Sequence, residues 1–130
     1  MPETTQAKDG PRLLVVDDDR DICTALQVAL QHRGHTVQTA HSGPEALKSL
    51  VNFTPDLVIL DLMLPGIDGY AVLQEMRRHL GAKVPFLFVT ATTLRISEDF
   101  LTGVIHSTMH KPLDFDAVDK RVRELLELSA

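Results

Sequence analysis

Several short apolar runs in this chain end on residues that carry chemistry. Arg12-Leu13-Leu14-Val15-Val16 leads into Asp17-Asp18, and Leu57-Val58-Ile59-Leu60 leads into Asp61. Pro85-Phe86-Leu87-Phe88-Val89 leads into Thr90, and one more candidate strand leads into Lys111-Pro112. Continuous Val/Ile/Leu/Phe runs between helical stretches are the mark of parallel strands buried on both faces. In open sheets of that kind, ligands bind beyond the carboxyl ends of the strands. The acids, the hydroxyl and the amine should therefore gather at one edge.

Strand signals cover Arg12 to Asp17, His35 to Thr39, Leu57 to Asp61, Phe86 to Thr90 and Ile105 to His110. The second is more polar and suits a sheet edge. The first helix has Asp19 or Asp21 as N-cap and Ile22, Leu26, Ala29 and Leu30 on one face. Gly34 then supplies a helix stop. Ser42-Gly43-Pro44-Glu45 combines a Ser cap, an early Pro and a Glu three residues on. It predicts a second helix to about Phe53, with Ala46, Leu47 and Leu50 inward. Pro55 breaks the chain, and Pro65 to Gly69 reads as a loop. The third helix carries Tyr70, Leu73, Met76 and Leu80, with Arg77 and Arg78 near its C-terminus, where cations are favoured. A weaker fourth helical signal spans Thr92 to Thr102. Asp114 caps a fifth, whose inward face is Val118, Val122, Leu125 and Leu126. Five βα units with right-handed crossovers give an α/β fold, a parallel sheet with helices on both faces. Residues 1–11 read as a flexible leader and 12–130 as one domain.

A chain of 130 residues is long enough for a real core. Its net charge of −5 speaks against an autonomous nucleic-acid binder. No apolar stretch approaches the ~20 residues of a membrane-spanning helix, and the polar N-terminus lacks the apolar centre of a signal peptide. The single Cys23 forms no internal disulfide, which fits a reducing cytoplasm. Beside Ile22 and Leu26 it reads as a half-buried packing residue. His32, His35, His41, His79, His106 and His110 read as surface or boundary residues. His106 and His110 share a strand face but lie about 13 Å apart, too far for one metal.

The strand-end residues suit one chemistry. Three close carboxylates repel each other unless a cation joins them. Mg²⁺ takes oxygen ligands and keeps several waters, so one or two carboxylates suffice to hold it. Asp17 and Asp18 sit where the chain turns, so both can face the edge. Asp61 would complete the acidic set and serve as a nucleophile, because a carboxylate can attack phosphorus to form an acyl phosphate. The transferring phosphoryl group spreads charge over its oxygens. Thr90 could donate to one oxygen and Lys111 could pair with another. Taken singly, an Asp at a strand end is more often a turn former or cap, as Asp19, Asp21 and Asp68 are read here. The joint placement carries the functional reading.

Four strings together resemble the receiver domain of two-component response regulators, of the chemotaxis-regulator type. They are Leu14-Val15-Val16-Asp17-Asp18-Asp19, Asp61 through Gly69, Val89-Thr90-Ala91 and Lys111-Pro112-Leu113. The resemblance covers about Arg12 to Leu128. It implies a flavodoxin-like doubly wound fold with strand order 2-1-3-4-5. It also implies that Asp61 takes a phosphoryl group from a sensor histidine kinase or a histidine phosphotransfer protein. Asp17 and Asp18 match the acidic pair that organises Mg²⁺, and Met63 matches a position whose backbone carbonyl joins them. Thr90 and Lys111 match the switch hydroxyl and the lysine that contact the phosphoryl group. Such a domain is a self-phosphorylating switch rather than a conventional enzyme. Its output face comprises the fourth helix, fifth strand and fifth helix, which can also form a homodimer. Asp116, Lys120, Arg121 and Arg123 on the fifth helix could supply intersubunit pairs, although a solvated helix face is the preferred reading of them.

The chain departs from the family in its signalling half. Receivers often carry Gly-Ala-Asp-Asp and then an aromatic ahead of the Lys-Pro; here the stretch is Gly103 through His110. The aromatic that swings inward on phosphorylation matches Thr108, and a small hydroxyl cannot exchange a buried ring for an exposed one. The expectation is that phosphorylation persists and the fourth helix carries the switch. A pseudo-receiver that binds partners without phosphorylation is the alternative. An aspartyl-phosphate hydrolase would want an acid/base carboxylate at Met63. A flavin module would want a hydroxyl- and Gly-rich loop where Asp17-Asp18-Asp19 stand.

Overall fold

The computed structural model describes residues 10–63, 69–91 and 101–130, with the backbone alone for Gly69 and Tyr70. The expected loop over Pro65 to Asp68, most of the fourth helical stretch and residues 1–9 lie outside the described residues. So does the side chain of Tyr70.

Five parallel strands form one sheet. They are β1 (Arg12–Val16), β2 (Thr36–Ala40), β3 (Leu57–Asp61), β4 (Phe86–Thr90) and β5 (His106–His110). Their order is β2-β1-β3-β4-β5, the doubly wound arrangement predicted. The described helices are α1 (Arg20–His32), α2 (Gly43–Ser49), α3 (Gly69–Leu80) and α4 (Phe115–Ser129). The last is the fifth helical stretch of the sequence.

The central strands are apolar throughout because both sheet faces are covered. Leu14 and Val16 of β1 face one way, into a core with Ala46, Val72, Leu73 and Met76 from α2 and α3. Leu13 and Val15 face the other way, among Cys23, Leu26 and Leu30 of α1 and Val118, Val122 and Leu125 of α4. Every residue of β3 and β4 is buried. Phe86 and Phe88 stack at a ring separation of 5.9 Å.

Local chemistry sets the element ends. Asp19 is the α1 cap, its carboxylate accepting from the amides of Asp21 and Ile22. Gly34, at φ 95°, takes the left-handed turn that ends the helix. Gly10 packs so close to this turn that a Cβ there would lie 1.7 Å from the Gly34 carbonyl oxygen. Asp114 caps α4 as read from the sequence.

Three expectations need correction. The second helix stops at Ser49 rather than near Phe53. After it, Leu50, Val51 and Asn52 donate to carbonyls three residues back, a tightening that ends the α-helical pattern. His35 is buried at 3% exposure, not a surface or boundary residue. It shares strand parity with the buried Val37, which turns its ring inward. Cys23 is fully rather than half buried, at 1% exposure.

Candidate functional site

The site is built at the carboxyl ends of the strands. Asp17 and Asp18 follow β1, Asp61 ends β3, Thr90 ends β4, and Lys111 follows β5. Asp17, Asp61 and Thr90 are buried, while Asp18 is exposed. Carboxylate oxygens of Asp17, Asp18 and Asp61 all lie within 4.8 Å of one another. The turn leaving β1 thus brings two adjacent aspartates to one place, although on a straight strand they would point apart.

Lys111 reaches into this cluster. Its Nζ lies 2.8 Å from Asp17 Oδ2 and 3.1 Å from Asp61 Oδ2. Its backbone amide donates to the Thr90 carbonyl at 2.9 Å, so β4 fixes the root of the amine. The carboxylates are fixed in turn. Asp17 Oδ1 accepts from the Asp19 amide and Asp61 Oδ1 from the Met63 amide, each at 2.9 Å. The Met63 bond folds the chain back at the end of β3, while its side chain stays about half exposed.

Electrostatics follow from burial and crowding. Burial, backed by the Asp61 charge, holds the Asp17 carboxyl above the usual carboxylate range, despite the bonds from Lys111 and the Asp19 amide. For Lys111, burial pulls the other way, but the bonds and charges of Asp17 and Asp61 outweigh it and raise its pKa. Among the described residues, three carboxylates face this one ammonium. Asp17 Oδ2 is buried and faces the Lys111 ammonium at 2.8 Å as an ion pair. An acidic cluster of three carboxylates in charge excess fits a hard divalent cation.

The structure brings Asp17, Asp18, Asp61 and Lys111 together as expected, with Thr90 at the adjoining strand end. Thr108 lies elsewhere: it is exposed in the middle of β5, in register with Phe88. The four residues considered for intersubunit pairing are largely engaged within the chain. Arg33 pairs with Asp116, Arg123 with Asp119, and Arg121 with Ser107 and Glu124.

Two features escaped the sequence reading. The Cys23 thiol donates to the Asp17 carbonyl at 3.2 Å, and burial followed by the Asp17 charge pushes its pKa up to about 11. Its place in the first helical turn, six residues after Asp17, was the available signal. His35 Nε2 lies 2.7 Å from Asp119 Oδ1, tying the start of β2 to α4. The signal there was the two-residue spacing from Val37.

Fold and site together define a doubly wound α/β module with an acidic cluster at its strand ends, and sequence comparison gives its family. The family model for the response regulator receiver domain matches residues 13–123. The transcriptional regulatory protein AfsQ1 of Streptomyces coelicolor is 40% identical over 119 residues, 89% of this chain and 51% of that protein. The uncharacterized transcriptional regulatory protein YrkP of Bacillus subtilis is 42% identical over 113 residues, 85% of this chain and 47% of that protein. Among solved structures, response regulator TrrA of Thermotoga maritima, in complex with Mg²⁺ and BeF, has a TM-score of 0.76 at 34% identity. The match covers 88% of this chain and 98% of that one. A CheY-like receiver from Methanospirillum hungatei reaches a TM-score of 0.83 at 24% identity, over 93% and 97% of the two chains, and shows the fold alone. The chain belongs to the response regulator receiver family of two-component signalling. It spans about half the length of the curated relatives it matches.

Proposed function

We propose that this receiver accepts a phosphoryl group on Asp61 from the phosphohistidine of a sensor kinase or histidine phosphotransfer protein. The observation that carries the reading is the buried Asp61 carboxylate, clustered with Asp17 and Asp18 and met by Lys111 at 3.1 Å. A carboxylate oxygen of Asp61 attacks phosphorus, the P–N bond breaks, and the donor imidazole nitrogen departs with its electron pair. Lys111 faces the developing charge on one phosphoryl oxygen and Thr90 donates to another. Asp17, Asp18, Asp61 and the Met63 backbone carbonyl would hold Mg²⁺, which when bound would supply charge neutralisation to the incoming phosphoryl group. The Asp61–Met63 hydrogen bond keeps the acceptor pointed into the cluster.

Output leaves by β5 and α4 together with the fourth helical stretch, toward a fused or separate effector in the cytoplasm. Thr108 cannot act as an aromatic toggle, so the segment after Thr90 carries the change. The test is intact mass after incubation with acetyl phosphate and Mg²⁺. A single phosphate adduct on the parent and none on Asp61→Asn is expected. An unmodified parent that also fails to bind beryllofluoride would make the chain a pseudo-receiver.

A further inference from the structure

The position of Asp17 is set by the backbone on either side of it. Its amide donates to the Ala40 carbonyl at 3.1 Å, which pins the end of β1 to the end of β2. Beyond Asp17 the chain leaves the sheet and enters α1, capped by Asp19. The Asp17 carbonyl therefore has no strand partner to continue the ladder, yet lies where water is excluded. A buried carbonyl without a donor is costly.

Cys23 meets that need. Helical side chains lean toward the helix N-terminus, so a residue in the first turn of α1 points back at the strand end. The Cys23 amide closes that turn on the Asp19 carbonyl at 3.1 Å. Its thiol reaches the Asp17 carbonyl at 3.2 Å and comes within 4.0 Å of the Ala40 carbonyl. The thiol thus touches both backbone groups that fix Asp17. Independently, Asp17 Oδ2 is a buried oxygen of the three-carboxylate cluster that meets no hydrogen-bond donor in good geometry and has only the Lys111 ion pair at 2.8 Å beside it.

We propose that Cys23 is a positioning residue for divalent-cation binding: as a hydrogen-bond donor to the Asp17 carbonyl, it holds the β1–α1 turn that aims Asp17. This rests on the reading of the cluster as a Mg²⁺ site. A side chain of Cys size does the task because the space between strand end and helix is closed, with Cys23 at 1% exposure. The role requires a donor rather than a thiol. Serine can take it over, whereas alanine and valine cannot.

The test is calorimetric titration of the full chain with Mg²⁺ at neutral pH, for the parent and for Cys23→Ala, Cys23→Val and Cys23→Ser. Thermal melts without metal identify a temperature at which each variant is folded. Loss of one weak hydrogen bond predicts about three- to fivefold weaker binding in Cys23→Ala and Cys23→Val. Cys23→Ser should stay within about twofold of the parent, whatever it does to the melting temperature. A packing role alone would shift the melts and leave all dissociation constants equal, which overturns the proposal. Serine as weak as alanine overturns it as well. If one non-donor variant fails to fold, the other gives the comparison. A parent that binds no Mg²⁺ overturns the metal site itself, and with it the role of Cys23; the first two failures leave the metal site standing.

Discussion

β4 and β5 are hydrogen-bonded neighbours of equal length, yet they are different kinds of strand. All of Phe86–Thr90 is buried. In His106–His110 exposed and half-buried residues alternate, with His106, Thr108 and His110 outward. β4 lies inside the sheet and β5 at its edge. The contrast separates two tasks. The inner strands hold the chemistry rigidly, because their side chains are locked on both faces. The edge strand leaves one face largely exposed, with His106 still meeting the Phe88 ring at 6.0 Å. An exposed mid-strand position of this kind accommodates a small hydroxyl such as Thr108 without loss of core packing.

The comparison is sharpened most by paired truncations on the two strands. Phe88→Ala should cost about 3–5 kcal/mol, since it empties a fully buried site. Thr108→Ala, opposite it in register, should change stability by no more than about 0.5 kcal/mol. Urea unfolding of both variants measures the difference. Equal losses would show that β5 is as tightly packed as its neighbour.

A smaller effect is expected where α4 meets β2. Asp119 accepts from His35 at 2.7 Å and from Arg123 at 3.0 Å. Burial alone would raise its pKa, but these two partners outweigh burial and hold it below the usual carboxylate range. A carboxylate with a depressed folded-state value stabilises the fold above its unfolded value and loses that contribution as pH falls through the folded one. Asp119→Asn should therefore cost about 1–3 kcal/mol at pH 7. The gap from the parent should close as pH falls through the depressed titration of this carboxylate. Thermal melts across pH 2–7 check this, and a gap that persists into acid would assign the loss to packing.

The same contrast explains what was legible in the sequence. The buried strands β3 and β4 were read with their observed bounds, because an uninterrupted apolar run has one good place in a parallel sheet. Asp17, Asp61, Thr90 and Lys111 were legible because topology alone carries strand ends to one edge. Less visible were contacts between elements distant in the chain. His35 looked like a boundary histidine until α4 brought Asp119 against it. Cys23 looked like packing until the turn after β1 placed a carbonyl above its thiol. The end of α2 was misjudged because Leu50 and Phe53 continue an apolar pattern that the backbone, tightening after Ser49, does not follow.

The central claim is that the buried strand ends do the chemistry and the edge strand reads it. Amide chemical-shift mapping of the full chain, on addition of Mg²⁺ and beryllofluoride, tests it most directly. The account predicts the largest shifts at Asp17, Asp18, Asp61, Met63, Thr90 and Lys111, with smaller ones continuing along β5 and none of that size at the amino ends of the strands. Shifts absent from Asp61 and its neighbours, or confined to surface residues remote from them, would contradict it.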